Sequence, residues 1–136
     1  MTAPMRKKTH SDAARITKLG GPPAGTVAAL AIGQADEPLV FAGTQVGIFR
    51  LIEAQADEPA EWERLAGAPL GVLSLGASPT FAQDHTLIAG TNSGIYVSTD
   101  SGETWQAAVM PISSSAVVAL CFSPNYAADG ILLAGT

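Results

Sequence analysis

The chain has 136 residues, of which 47% are hydrophobic and 14% are charged, a composition that excludes both a disordered chain and a coiled coil. Its 14 glycines and 9 prolines favour many short strands joined by turns over long helices. No apolar segment approaches the roughly 20 residues that span a bilayer, and the lone Cys121 excludes an intramolecular disulfide and a multi-cysteine zinc site.

Charge is distributed unevenly along the chain, whose net charge is −5. Five of the seven basic residues lie in the first 18 positions, whereas the residues after Leu19 include 11 acidic and two basic side chains. Such an acidic body repels phosphates, so we expect no nucleic-acid partner. Residues 1–13 are predicted to be a basic, flexible tail, because the charges are not followed by the apolar segment of a secretory signal.

The rest of the chain is a repeat of about 45 residues. Apolar segments begin at Val27, Val72 and Val117, and each is followed by the tripeptide Ala-Gly-Thr. A full repeat contains four short apolar segments separated by turn residues, which is the pattern of antiparallel hairpins. The predicted strands A to D lie at 27–32, 39–43, 47–52 and 61–65 in the first repeat, at 72–77, 86–90, 94–98 and 104–108 in the second, and at 117–122 and 131–135 (A and B alone) in the third.

Four strands per repeat of this length indicate a blade of a β-propeller, an all-β fold. The partial propeller covers 14–136, with an outer strand at 14–19, blades at 27–65 and 72–108, and a half blade at 117–136. Strand A is apolar on both faces, which predicts that neighbouring sheets cover both.

Since a ring needs roughly four to eight blades, the pattern indicates a fragment of a longer chain; the alternative is a ring completed by homo-oligomerisation. An isolated open stack would expose apolar faces, which predicts low stability or aggregation.

One loop of the second repeat carries a more specific motif. The segment from Ser98 to Trp105 reads Ser-Thr-Asp-Ser-Gly-Glu-Thr-Trp. It matches the Asp-box, Ser-x-Asp-x-Gly-x-Thr-Trp, so the chain resembles the Asp-box (BNR-repeat) propellers. These include sialidases, xyloglucan-cleaving glycosidases, photosystem II assembly factors and sortilin-type receptors, and the family is often extracytoplasmic. The resemblance covers residues 14–136, although the first repeat keeps only Trp62 of the box.

The box residues are expected to have a structural role. Asp100 is placed to accept backbone N–H bonds within the turn, Gly102 to adopt a positive φ, and Trp105 to cover the hairpin and fill the gap between blades. The resemblance implies that the box lies away from the substrate face, which leaves a catalytic or metal-binding Asp100 as the weaker alternative. The structural set is Ser98, Asp100, Gly102, Thr104 and Trp105.

The turns of the predicted blades form two rims of opposite character. The A–B and C–D turns carry ten of the 11 acidic residues after Leu19. This acidic rim either keeps an apolar protein soluble or docks a basic partner or a divalent cation. The other rim is uncharged, and by resemblance it is where propellers bind ligands; its hydroxyl and amide groups suit a sugar or a peptide. The candidate ligand-binding residues on this uncharged rim are Thr44, Gln45, Thr91, Asn92 and Ser93.

The residues give weak support to an enzyme. A sialidase needs an arginine cluster, but the body contains only Arg50 and Arg64, and a glycosidase needs two carboxylates on the ligand face, whereas the acids lie on the other rim. His85 is predicted to be an isolated surface histidine, and Cys121 is predicted to be a small core residue. We predict a non-enzymatic binding or scaffolding segment for a protein or carbohydrate ligand, without cofactor or metal. The alternative is part of a sialidase-like or xyloglucanase-like glycoside hydrolase whose catalytic residues lie in other blades.

Overall fold

The computed structural model describes residues 20–52, 61–108 and 115–136. These residues form ten strands in three antiparallel sheets. The first sheet contains β1 (Val27–Gly33), β2 (Leu39–Thr44), β3 (Gly47–Ile52) and β4 (Glu61–Arg64). The second contains β5 (Val72–Ala77), β6 (Leu87–Thr91), β7 (Gly94–Ser98) and β8 (Gln106–Ala107). The third contains β9 (Ala119–Phe122) and β10 (Leu132–Gly135).

The four-stranded antiparallel sheets confirm the predicted all-β class. In both, strands that are neighbours in sequence are also neighbours in the sheet, so each sheet is a simple meander. The strands begin and end within two residues of the predicted positions. The predicted tail at 1–13, the outer strand at 14–19 and the connection at 53–60 lie outside the described residues.

Two one-turn helices occupy A–B connections, where the sequence predicts plain turns. The helix α1 (Phe81–Asp84) joins β5 to β6, and α2 (Tyr126–Asp129) joins β9 to β10. Phe81 is buried and packs edge-to-face against Phe41, with ring centroids 6.1 Å apart, so α1 adds an aromatic ring to the core. Neither helix, nor any other in the described ranges, is long and apolar enough to cross a membrane.

The hydrophobic core lies between successive sheets. Because side chains along a strand alternate between faces, the neighbouring Leu87 and Ile88 on β6 belong to different cores, and the second sheet is covered on both sides, as its apolar pattern predicts. The first core contains Ala31, Phe41, Ile48 and Leu65 on one side and Val72, Leu75, Phe81, Leu87 and Ala89 on the other. The smaller second core contains Ile88, Ile95 and Val117, with Leu120, Phe122 and Leu132 partly buried against them.

The glycine of the Ala-Gly-Thr tripeptide lies where the next sheet comes closest. A Cβ at Gly43 would lie 2.5 Å from Cγ1 of Val72, and one at Gly90 would lie 2.6 Å from the carbonyl oxygen of Val117. Side chains do not tolerate such distances, so this packing requires glycine. At the second contact, the buried Ser74 hydroxyl also donates to the Val117 carbonyl at 2.9 Å. The contact explains the glycine in the first two copies of the tripeptide.

The outer faces of the first and third sheets expose apolar side chains, as the sequence predicts for an open stack of sheets. On β1, Leu30 is 64% exposed and Ile32 is 52% exposed, and on β10 Leu133 is 66% exposed. Cys121 on β9 is also exposed, so the prediction that it is a core residue is wrong. The cause is the same at both ends: no sheet of the described chain packs against these faces.

Candidate functional site

The Asp-box turn connects β7 to β8 and is held by the side chains of the motif itself. Asp100 Oδ1 accepts hydrogen bonds from the Thr104 backbone N–H at 2.9 Å and from the Ser98 hydroxyl at 2.7 Å. Its Oδ2 accepts a hydrogen bond from the Thr104 hydroxyl. Ser98 Oγ in turn accepts the Gly102 N–H at 2.8 Å. Both carboxylate oxygens of Asp100 are therefore used within its own turn.

These hydrogen bonds lower the pKa of Asp100 to about 2. The Thr104 hydroxyl contributes most, followed by the Thr104 backbone N–H and the Ser98 hydroxyl. Each donor stabilises the ionised form of the carboxyl group. A group with so low a pKa is ionised at neutral pH and has no proton to donate as a general acid.

The same turn lies against the core between the first two sheets. Gly102 is buried and has the positive φ, +92°, that the sequence predicts. A Cβ there would lie 2.8 Å from Cδ1 of Leu65 and 3.4 Å from Cδ1 of Leu87. Trp105 donates its indole N–H to the Gly102 carbonyl at 2.8 Å, and its ring packs against the same core. The motif therefore couples a hairpin turn to the packing between sheets.

A second motif, which was not predicted, holds the A–B connections of the second and third sheets. The Ser78 hydroxyl donates to Asp84 Oδ2 at 2.6 Å, and the Ser123 hydroxyl donates to Asp129 Oδ2 at 2.6 Å. The other oxygen of each carboxylate accepts the backbone N–H two residues further along the chain, at 3.0 Å and 2.8 Å respectively. The sequence signal is Ser-Pro with an aspartate six residues after the serine, present in both repeats.

The pKa values of these two aspartates are lowered as well. For Asp84, partial burial acts to raise the pKa, but the hydrogen bonds that it accepts, chiefly from the Ser78 and Thr80 hydroxyls, outweigh that effect. For Asp129, the Ser123 hydroxyl is the main cause. Like the Asp-box carboxylate, both groups serve as ionised acceptors that hold a turn.

Two further acidic residues, Glu63 on β4 and Glu103 in the Asp-box turn, form ion pairs with one arginine. Arg50 Nη2 lies 2.6 Å from Glu63 Oε2, and Nη1 lies 3.2 Å from Glu103 Oε1 in the Asp-box turn, so the arginine bridges two sheets. The hydrogen bond to Glu63 is the largest cause of the raised Arg50 pKa. The exposed Asp36 and Glu37 line an open cleft of about 690 Å³ together with this arginine. The predicted acidic-rim residues that lie outside the described chain are Glu53, Asp57 and Glu58.

The five residues of the uncharged rim fall into two groups. Thr44 and Thr91 are buried, and their hydroxyls donate at 2.9 Å to carbonyls within their own B–C turns. These two threonines therefore hold the turns. Gln45, Asn92 and Ser93 are exposed, and their side chains face solvent at the same end of the sheets.

Gly71, just before β5, joins the two B–C turns. Its N–H donates to the Gln45 carbonyl at 2.9 Å, and its own carbonyl accepts the Asn92 N–H at 3.1 Å. A Cβ at Gly71 would lie 2.6 Å from Asn92 Nδ2, so the asparagine side chain packs closely over this residue. The structure thus brings Gln45 and Asn92, predicted separately from two repeats, to either side of one residue.

The two arginines that a sialidase would use are not brought together in the described residues. Arg50 and Arg64 point to opposite faces of the first sheet, because Arg50 pairs with Glu63 and Arg64 is the next residue along β4. His85 is exposed, and its ring lies edge-to-face against Phe81. Within the described ranges, no three His, Cys, Asp or Glu side chains are grouped as a metal site requires.

Comparison with known proteins adds no relative to this picture. No protein-family model matches the chain, and neither a curated protein nor a solved structure matches it. The resemblance to Asp-box propellers therefore depends on the box and on the repeat that surrounds it.

Proposed function

We propose that the chain is a segment of an Asp-box β-propeller that acts as a non-enzymatic platform for binding or scaffolding. The observation that carries this proposal is the use of the aspartates in the Asp-box turn and in the two serine–aspartate connections. Asp84, Asp100 and Asp129 all hold turns, and their pKa values are lowered. Catalytic acids are tuned in the opposite direction, towards neutral pH. The acidic motifs are therefore better suited to building the scaffold than to chemistry.

The stacking of the sheets supports the propeller part of the proposal. The first strands of successive sheets contact one another, β1 with β5 and β5 with β9. Each step from one sheet to the next uses the same contact between a glycine and a valine, at Gly43 and at Gly90. A propeller repeats one such step, with the first strands of its roughly four to eight blades around a central channel, so this stacking is compatible with that fold.

We propose that the uncharged rim is the binding surface. The amides of Gln45 and Asn92 and the hydroxyl of Ser93 are exposed there. Amide and hydroxyl groups both donate and accept hydrogen bonds, which suits the hydroxyls of a sugar or the backbone of a peptide. Thr44 and Thr91 shape the turns that present these groups.

The second candidate is a segment of a sialidase-like or xyloglucanase-like glycoside hydrolase. It is favoured by the open cleft beside Asp36 and Glu63, which offers carboxylates near an arginine. The catalytic residues of such an enzyme would lie in other blades.

Binding and turnover assays on the purified full-length protein distinguish the two candidates, because the hydrolase would need its other blades for turnover. Sialyllactose and xyloglucan oligosaccharides are titrated, and a displayed peptide library is selected, against this protein and against a variant carrying Gln45→Ala and Asn92→Ala. The platform predicts saturable binding without product, lost in that variant and retained in the control Glu37→Gln. Release of a shortened sugar would favour the hydrolase. Binding that survives the double substitution would contradict the assignment of the uncharged rim.

A further inference from the structure

Two exposed apolar faces lie at opposite ends of the sheet stack. The leading face, on β1, consists of Val27, Leu30 and Ile32. The trailing face, on β9 and β10, consists of Ala119, Cys121, Leu133 and Gly135. The trailing residues share one face because Ala119 pairs with Gly135 and Cys121 pairs with Leu133 across the two strands.

The leading face repeats one side of an interface that exists inside the chain. Val27 and Leu30 stand 45 residues before Val72 and Leu75 in the repeat. In the second sheet these two side chains are 0% and 9% exposed, because they pack against the first sheet. On β1 the same pair of side chains has no sheet of the described chain to receive it.

The trailing face repeats the other side of that interface. Gly135 occupies the position that Gly43 has in the first Ala-Gly-Thr tripeptide, where the valine of the next sheet fills the space above the glycine. At Gly135 a Cβ would meet only Cβ of Ala119, at 3.4 Å, so this space is open. Leu133 likewise stands at the position of Phe41, which is fully buried.

We propose that the leading face of one copy of this chain docks on the trailing face of a second copy, with Val27 seated over Gly135. Going beyond the proposed function, a second copy fits these faces as a further sheet would, because each chain carries both halves of one interface, which already forms twice between its own sheets. The contact joins different surfaces of the two copies and is therefore head to tail. Both faces are apolar, so the association is driven by removal of this surface from water.

A pair of charge variants tests the proposal on the full chain. Leu30→Asp disables the leading face alone, and Leu133→Asp disables the trailing face alone. Both side chains are exposed, so neither substitution buries a charge in the separate chain. In sedimentation velocity, we expect the wild type to form oligomers as its concentration rises and each variant alone to stay monomeric. A 1:1 mixture should form a heterodimer through the two intact faces and grow no further.

Cys121 gives an independent measurement, because it is exposed on the trailing face and stands at the position of Ala31, which is 8% exposed in the internal interface. Its reaction with a maleimide should slow as the wild-type concentration rises and should lose this dependence in Leu133→Asp. Circular dichroism verifies folding. If Leu133→Asp unfolds, Gly135→Val replaces it, since its side chain would occupy the space for Val27 and its Cβ would meet only Cβ of Ala119, at 3.4 Å.

Several results would overturn the proposal. The proposal is wrong if the wild-type chain stays monomeric with a constant rate of maleimide reaction, or if it aggregates in a way that neither substitution changes. It is also wrong if a single variant still associates, or if the mixture of the two variants yields no heterodimer. Association of either aspartate variant with itself would indicate like faces in contact, which the head-to-tail arrangement excludes.

Discussion

Replacement of Phe41 by alanine measures how much the fold depends on contact between the first two sheets. Phe41 is fully buried on β2, and its ring packs against Phe81 from the second sheet. Truncation of a buried phenylalanine costs about 3–5 kcal/mol, because apolar burial is lost and a cavity remains. Domains of this size are stable by only about 5–15 kcal/mol, so Phe41→Ala should bring the chain close to unfolding.

Leu133→Ala is the matched control, because Leu133 occupies the position of Phe41 in the third repeat but is 66% exposed. Substitutions at such surface positions change the free energy of unfolding by no more than about 0.5 kcal/mol. Urea unfolding of dilute protein, followed by the fluorescence of Trp105 and Trp62, reports on both variants, since Trp105 packs against the affected core. Equal shifts in the two variants, or a loss below about 1 kcal/mol in Phe41→Ala, would refute the stacking argument.

Three further predictions concern the Asp-box turn, the serine–aspartate connections and the Ala-Gly-Thr tripeptide. Because the pKa of Asp100 is lowered from 3.8 to about 2, its ionised form stabilises the fold above about pH 4, and this contribution is lost as the pH falls towards 2. In thermal melts, Asp100→Asn should therefore be less stable than wild type at pH 7 and should lose less stability on acidification; parallel pH profiles would count against the box geometry. Ser78→Ala should cost about 1–2 kcal/mol in chemical denaturation, because its acceptor is partly buried. The equivalent Ser123→Ala, whose hydrogen bond is exposed, should cost less; equal losses would contradict this difference. Gly90→Ala places a Cβ 2.6 Å from a carbonyl of the next sheet and should cost about 1–3 kcal/mol in urea unfolding of dilute protein, in which Gly135→Ala should be neutral.

The strand positions could be predicted from the sequence because local features determine them. Turn residues such as those between β2 and β3 separate short apolar segments, and one repeat can be checked against the next. The hydrogen bonds of α1 and α2 could not be predicted in the same way. Ser78 and Asp84 are six positions apart, and only the path of a one-turn helix brings the hydroxyl to the carboxylate.

Burial was the property that the sequence predicted least well. Cys121 lies between apolar neighbours, Leu120 and Phe122, and such a pattern is typical of a covered strand. Whether a sheet face is covered, however, depends on a sheet distant in sequence, and none of the described sheets covers this face. Thr44 and Thr91 show the converse problem. A hydroxyl beside a turn is suited to a ligand, but here each hydroxyl is buried and bonded within its own turn.

One end of the sheets is acidic and the other is uncharged, and this difference follows in large part from the residues that hold the turns. The backbone N–H groups of a tight turn need an acceptor. At one end the acceptors are carboxylates, those of Asp84, Asp100 and Asp129. At the other end they are the hydroxyls of Thr44 and Thr91, which accept backbone N–H groups at 3.2 Å and 3.1 Å. The same structural requirement is thus met by charged groups at one end and by neutral groups at the other. A basic partner at the acidic end would be held mainly by the remaining acidic residues, because the carboxylates that hold the turns already accept hydrogen bonds inside the fold.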